Sequence, residues 1–266
     1  MTTREALPWF ACTLDGAGYI EPFRNHKPID ATSQRRFNIP MVEHRKLMLL
    51  ALWAGLLPLL AIHASYLIAA SQGHVPWCIP YFDSCTSISA TGRHGIAYGW
   101  FKLTMIPAAI ILFLFWRALF AWQVSSSAQQ QRAIMVIGCI GAVCLAIYTI
   151  ALGEAGDLFR RQRQIGATVY FTFTYLAQLL LVAWLFRFRP TEGKSNLWLY
   201  TMFAFCIACL SIGIVSLLID AYTHWHDNVE DAIEWILALL IDLNFLVFYG
   251  HLRGLQRQDY ALPNKI

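Results

Sequence analysis

The sequence predicts an all-α fold, a polytopic membrane protein built as a bundle of six transmembrane helices. Three observations point there. The 266 residues are 58% hydrophobic and only 14% charged, with a mean hydropathy of +0.49, whereas ordinary soluble domains carry about 25% charged residues. Six apolar windows each match a bilayer core, which takes roughly 20 residues per helix. Amphipathic Trp residues mark the window ends, as expected at headgroup level.

The windows run over 47–70, 99–122, 133–153, 166–188, 197–219 and 232–253, so the expected organisation is a 1–46 tail, a 47–253 helical domain and a 254–266 tail. Trp53 and Trp77, Trp100, Trp116 and Trp122, Trp184 and Trp198, and Trp225 and Trp235 supply the boundary aromatics. The first apolar run begins after 46 residues and no small-residue cleavage pattern follows it, so no signal peptide is expected.

Orientation follows from Lys and Arg, which are retained on the cytoplasmic side in short segments. Fifteen of the twenty fall in the two tails and in the second and fourth connections, and both termini are therefore expected in the cytoplasm. The remaining five are Arg93, Lys102, Arg160, Arg161 and Arg163, and the "RRQR" cluster opposes the trend. The net charge of +4 hides two unlike faces. The tail side is basic and suits anionic headgroups. Nucleic-acid binding is not expected, because the tails lack a dense Lys/Arg run. The first, third and fifth connections gather Asp83, Glu154, Asp157, Asp220, Asp227, Glu230, Asp231 and Glu234, with His74, His94, His224 and His226.

Cysteine placement divides the seven residues in the same way. Cys139, Cys144, Cys206 and Cys209 lie in apolar windows and behave as small packing residues, while Cys12 lies in the N-terminal tail. Cys78 and Cys85 fall in the first outer connection, where an oxidising compartment permits a disulfide.

The segment "YTHWHDNVEDAIEW", residues 222–235, concentrates histidines and acids between two apolar runs. His224 and His226 with neighbouring carboxylates have the ligand types of a zinc site, but two histidines at i and i+2 are a weak metal signal. The plainer reading is a solvated turn in which Asp227 caps the sixth helix and Glu230 and Asp231 complement its dipole. No metal is expected, and no cofactor motif is present.

Glu234 and Asp242 are less easily explained by solvent. Asp242 lies some ten residues into the sixth helix, near mid-bilayer at about 1.5 Å per residue, where an ionisable group usually faces a partner or a watery cavity. Asp231 and Asp242 lie within about 20° of each other around the helix, and Glu234 about 60° from Asp231. This polar stripe descends from the outer surface. His63, Ser65, Lys102, Thr104, Tyr148, Thr149, Glu154, Thr168, Tyr170, Thr172, Thr174, Gln178, Ser211 and Ser216 add polar groups on the other helices, mostly in the outer half. Together they suggest a cavity open to the outer leaflet, with Lys102 or His63 partnering the acids.

Three segments carry a family resemblance. "PYFDSCTSISATGRHGIAYGWFK" (80–102) resembles the "IS-x-TG" element of the Frag/DRAM/Sfk family, six-helix proteins that include a GPI lipid-remodelling protein and damage-regulated autophagy modulators. "GDLFRRQRQIGATVYF" (156–171) is similar to its "G-x-F...H-x-x-GA...F", and "AIEWILALLIDLNFLVFYGHL" (232–252) to its "EW...F...F...E" closing helix. The matching positions are Ser89, Thr91, Gly92, Gly156, Gly166, Ala167, Glu234 and Trp235. Arg163 stands where many relatives have His, and the Pro expected before the second helix is absent.

The resemblance implies a lipid-linked function, either remodelling of lipid anchors or control of lipid distribution between leaflets. It assigns no catalytic residue. The expected partners are membrane lipids, with no protein partner indicated. Asp83, Ser89, Arg93, His94, Lys102, Glu154, Asp157, Glu234 and Asp242 are the candidate lipid-binding residues, the cations meeting phosphate and the carboxylates meeting hydroxyls or an amine. The alternative is a membrane acyltransferase or metal-dependent hydrolase. That chemistry needs a nucleophile beside a base or metal, for which His94 with Ser87 or Ser89, and His224 or His226 with Asp227 or Glu230, contain the necessary types.

Overall fold

The computed structural model describes residues 41–123, 128–188, 194–222 and 229–261. His224, His226 and Asp227 lie outside the described residues. Six long helices match the six apolar windows: α1 (Met41–Ser71), α4 (Gly95–Trp122), α5 (Ala128–Ala151), α6 (Asp157–Phe188), α7 (Lys194–Tyr222) and α8 (Glu230–Ala261). Each is long and apolar enough to cross a membrane. The protein is an integral, multi-pass membrane protein. The helices overrun their windows because charged ends such as Glu43 and Lys46 continue the helix past the hydrocarbon.

Two short helices were not foreseen, α2 (Pro80–Asp83) and α3 (Ile88–Thr91), both in the α1–α4 connection. Local chemistry explains each. Pro80 opens α2, where its fixed φ is favourable and its missing N–H is not needed. The Asp83 carboxylate turns back to accept the Ile79 N–H at 2.7 Å. Ser87 caps α3, its Oγ accepting the Ala90 N–H at 3.1 Å.

Sequence neighbours pack against each other through α4, α5 and α6, and α1 closes the arrangement by packing on both α4 and α8. Small residues allow the close approaches. A Cβ on Gly166 of α6 would meet Tyr148 Cβ at 3.0 Å and the Cys144 carbonyl at 3.2 Å, and a Cβ on Gly138 of α5 would enter the Trp116 indole. α7 differs from the rest. Only 17% of its most apolar window is buried, against 39–50% in the other five, and it packs chiefly on α8.

Buried polar groups occur toward both ends of the bundle. We call the end holding the α1–α4 and α5–α6 connections the loop face, and the opposite end the termini face. The half nearer the termini face also holds buried polar groups, Gln123, Gln131, Asn244 and His251. Asn244 of α8 donates to Gln178 Oε1 of α6 at 3.1 Å and approaches Cys206 Sγ of α7 at 3.4 Å, while Gln178 donates to the Ile241 carbonyl at 3.0 Å. This buried network fixes α6, α7 and α8 together.

Candidate functional site

The α1–α4 connection folds back as a roof over the loop face. Cys78 and Cys85 are joined by a disulfide around α2. Tyr66 of α1 anchors the near end, its hydroxyl donating to the Cys78 carbonyl at 2.7 Å and accepting the Cys78 N–H at 2.9 Å. His63 Nδ1 faces the Leu59 carbonyl at 2.6 Å, so it carries the ring proton, and Nε2 accepts the Tyr81 hydroxyl at 2.8 Å. Burial, and then the nearby Asp242 charge, push the Tyr81 hydroxyl above its ordinary value of 10.0.

α8 holds the far side of the roof with three consecutive contacts. Ser84 Oγ accepts the Ala232 N–H at 3.2 Å, Glu234 Oε2 accepts the Ile88 N–H at 3.1 Å, and Trp235 Nε1 donates to the Thr86 carbonyl at 2.9 Å. The buried Trp235 ring stands edge-on to His63, Tyr66 and Tyr81. Thr91 is fully buried, and its carbonyl accepts the Ser65 hydroxyl at 3.1 Å. Glu234 therefore has a backbone N–H as its partner, neither Lys102 nor His63.

Under the roof lies a small space of about 20 Å³. It holds about one water molecule, for which roughly 10–15 Å³ suffices. Glu234, Ala238 and Asp242 line it from α8, with Tyr148 of α5 and Tyr170 of α6 opposite. Their i, i+4, i+8 spacing puts the three α8 residues along one side of the helix. Asp242 is 3% exposed, and no cation pairs with it among the described residues. The Tyr148 hydroxyl also has no hydrogen-bond partner there. Where the sequence suggests a cavity open to the outer leaflet, the space beneath the roof is only about 20 Å³.

The other candidate residues divide into structural groups and an exposed rim. Asp83 closes α2, Asp157 sits exposed in the first turn of α6, and the His94 ring lies 5.6 Å from that of His74. On the rim, Arg93 Nη2 donates to Ser89 Oγ at 2.6 Å. One turn along, Glu154 Oε1 accepts both the Tyr98 hydroxyl at 2.9 Å and Lys102 Nζ at 3.0 Å. Hydrogen bonds from Lys102 and Tyr98 hold the Glu154 carboxyl below its ordinary value of 4.5. Gly153, at φ +80°, leaves the space that Tyr98 fills, since a Cβ there would strike its ring. Sequence reasoning missed Tyr98, although it lies at i−4 from Lys102, a spacing that places the two on one helix face.

Among the described residues, His94 is not joined to Ser87 or Ser89 as a hydrolytic pair, and the set built on His224 and His226 lies outside them. Ser87 Oγ bonds Ser89 Oγ at 3.1 Å and the Ala90 N–H, Ser89 also accepts Arg93, and neither serine bonds His94. No cluster of three or more His, Cys, Asp or Glu suitable for a metal occurs among the described residues.

The model of the Frag1/DRAM/Sfk1/Cwh43P N-terminal domain matches residues 46–255, spanning α1 to α8. The chain belongs to this family. No curated protein and no solved structure matches it. The motif positions of this Frag1/DRAM/Sfk1/Cwh43P domain, distant in sequence, meet around one site. Ser89, Thr91 and Gly92 build the end of the roof, Glu234 and Trp235 hold it down, Gly166 packs on Tyr148, and Ala167 lines the cavity. Gly156 sits at φ +112° in the α5–α6 turn, where a side chain would be strained. Arg163 donates to the Ala151 and Glu154 carbonyls at 3.3 and 2.9 Å and closes the end of α5.

Proposed function

We propose that the protein handles membrane lipid at the loop face, with both termini cytoplasmic, and that Arg93, Lys102 and Glu154 meet the headgroup. The observation that carries this reading is the convergence of the three family segments at that face, beside the Lys102–Glu154 pair, which joins α4 to the α5–α6 turn. An exposed guanidinium and a part-buried ammonium suit a lipid phosphate, and the intervening carboxylate suits an amine or hydroxyl. The buried Glu234–Asp242 line lies beneath, too confined to admit a headgroup while the roof is in place.

Cells lacking the protein, complemented with wild type or with Arg93→Gln/Lys102→Gln, distinguish the possibilities. Lipid handling gives altered leaflet exposure of lipid with an unchanged acyl-chain profile, restored by wild type and not by the double variant. A changed acyl-chain profile instead identifies remodelling chemistry. No change in either quantity, or full rescue by the double variant, overturns the headgroup site.

A further inference from the structure

A second recess among the described residues lies away from the loop face. It is a membrane-facing groove of about 370 Å³ between α4 and α5, lined by Phe113, Arg117, Val136, Cys139, Ile140 and Val143 among others. That volume is within the roughly 300–1,000 Å³ of ordinary small-molecule sites. One wall is rigid. Gly138 lies beneath the Trp116 indole, which brings the two backbones together, and Cys139 Sγ approaches the Phe113 carbonyl at 4.0 Å.

The groove is apolar along its length and cationic at one end. Arg117 lies five residues before the end of α4 and Arg132 four residues after the start of α5, so both sit about 6–8 Å in from the termini-face ends of adjacent antiparallel helices. Arg132 and Cys139 lie within about 20° of one another around α5, and Val143 within about 20° on the other side. The second arginine therefore stands in line with the groove. Both arginines are exposed, and neither forms an ion pair among the described residues. A lipid-facing guanidinium at that depth is costly unless it reaches the interface or an anion. A phosphate accepts two such donors in good geometry, and an acyl chain is the natural filler of the apolar channel beyond them.

We propose that this groove binds an anionic glycerophospholipid from the termini-side leaflet, its phosphate between Arg117 and Arg132 and one acyl chain along Val136, Ile140 and Val143. The site is independent of the loop-face site, because it shares no residue with it and draws on the opposite leaflet.

The test uses full-length protein in nanodiscs of phosphatidylcholine doped with phosphatidylserine, followed by native mass spectrometry of the lipids retained. Wild type should retain phosphatidylserine over phosphatidylcholine. Arg117→Gln/Arg132→Gln should weaken that retention roughly tenfold or more, as expected for lost charge-assisted bonds. Val136→Phe, at an exposed position that fills the groove without removing charge, should weaken retention of both lipids. Arg187→Gln, an exposed arginine near the same end of α6, should behave as wild type. Equal retention of the two lipids by wild type overturns the proposal, as does an Arg187→Gln loss matching that of the double variant. So does a dimer sensitive to Val136→Phe and indifferent to the arginines, which would make the groove a seat for a second copy's helix. Helicity and monodispersity of each variant separate these outcomes from misfolding.

Discussion

Gly55→Ala perturbs a close contact between α1 and α8, at the level of Asp242. A Cβ at position 55 would lie 2.5 Å from the Asp242 carbonyl oxygen and 3.0 Å from Leu246 Cγ. Heavy atoms rest at about 3.5–4.0 Å, so the shortfall against the carbonyl is about 1 Å. That oxygen belongs to a helix backbone and cannot rotate away, so the helices must separate. Overpacking of this kind costs about 1–3 kcal/mol. Gly→Ala in a helix interior also brings a propensity gain of about 0.5–1 kcal/mol. Gly213→Ala in α7 isolates that gain, since nothing lies within 4 Å of the Cβ it would add. The difference between the two variants is then the clash alone, about 1–3 kcal/mol. At about 2–4 °C per kcal/mol for a chain of this size, Gly55→Ala should melt roughly 2–12 °C below Gly213→Ala in the same detergent and at the same scan rate. Equal melting temperatures for the two variants would falsify the packing of α1 on α8 described above.

Two further outcomes concern the loop face. Because Glu154 is held below its ordinary value of 4.5 by Lys102 and Tyr98, its contribution to stability is present above that value and is lost as pH falls through the lower folded one. The melting-temperature gap between wild type and Lys102→Gln should therefore be constant near neutrality and narrow in acid, and a gap that widens in acid would contradict the pairing. Mass spectrometry of unreduced protein should recover residues 78 and 85 as one linked peptide. Two free thiols in protein taken from an oxidising compartment would rule out the stapled roof.

The six spans were legible because hydropathy is a local quantity, and a bilayer demands some 20 apolar residues wherever a helix crosses. Glu234 and Asp242 were legible for the complementary reason, as charges at a depth where charge is rare. Their surroundings were not. Matching by depth suggested Lys102 or His63 as partners, yet Lys102 turns to Glu154 and His63 to Tyr81. Both are satisfied at closer range by groups that charge counting ranks low, a phenol in one case and a carboxylate in an interhelical turn in the other. The roof was invisible for a different reason. Ile88 and Glu234 are 146 positions apart, and no local pattern in "PYFDSCTSISATG" states that its amides will be used by α8. Only the motif resemblance at Glu234 and Trp235 marked the far side of that contact, without indicating what it would touch.

Arg163 bears on the orientation of the whole bundle. The "RRQR" cluster on the loop face is the main departure from a basic termini face, and taken as free charge it weighs against cytoplasmic termini. Arg163 is not free charge in the folded protein. Its Nη1 donates to two carbonyls at the end of α5, where the partial negative charge of the helix dipole favours a cation. A neutral histidine carries a single ring N–H and a protonated one carries one on each ring nitrogen, so neither form can donate to both carbonyls from one atom. The guanidinium thus caps both carbonyls from one nitrogen, and its presence on this face has a structural cause. Lys102 is likewise committed to Glu154. Of the five basic residues on the loop face, Arg160 and Arg161 alone then stand without a structural use or a part in the headgroup rim, against the fifteen that fall in the two tails and the second and fourth connections of the sequence, which is the balance on which the proposed orientation rests.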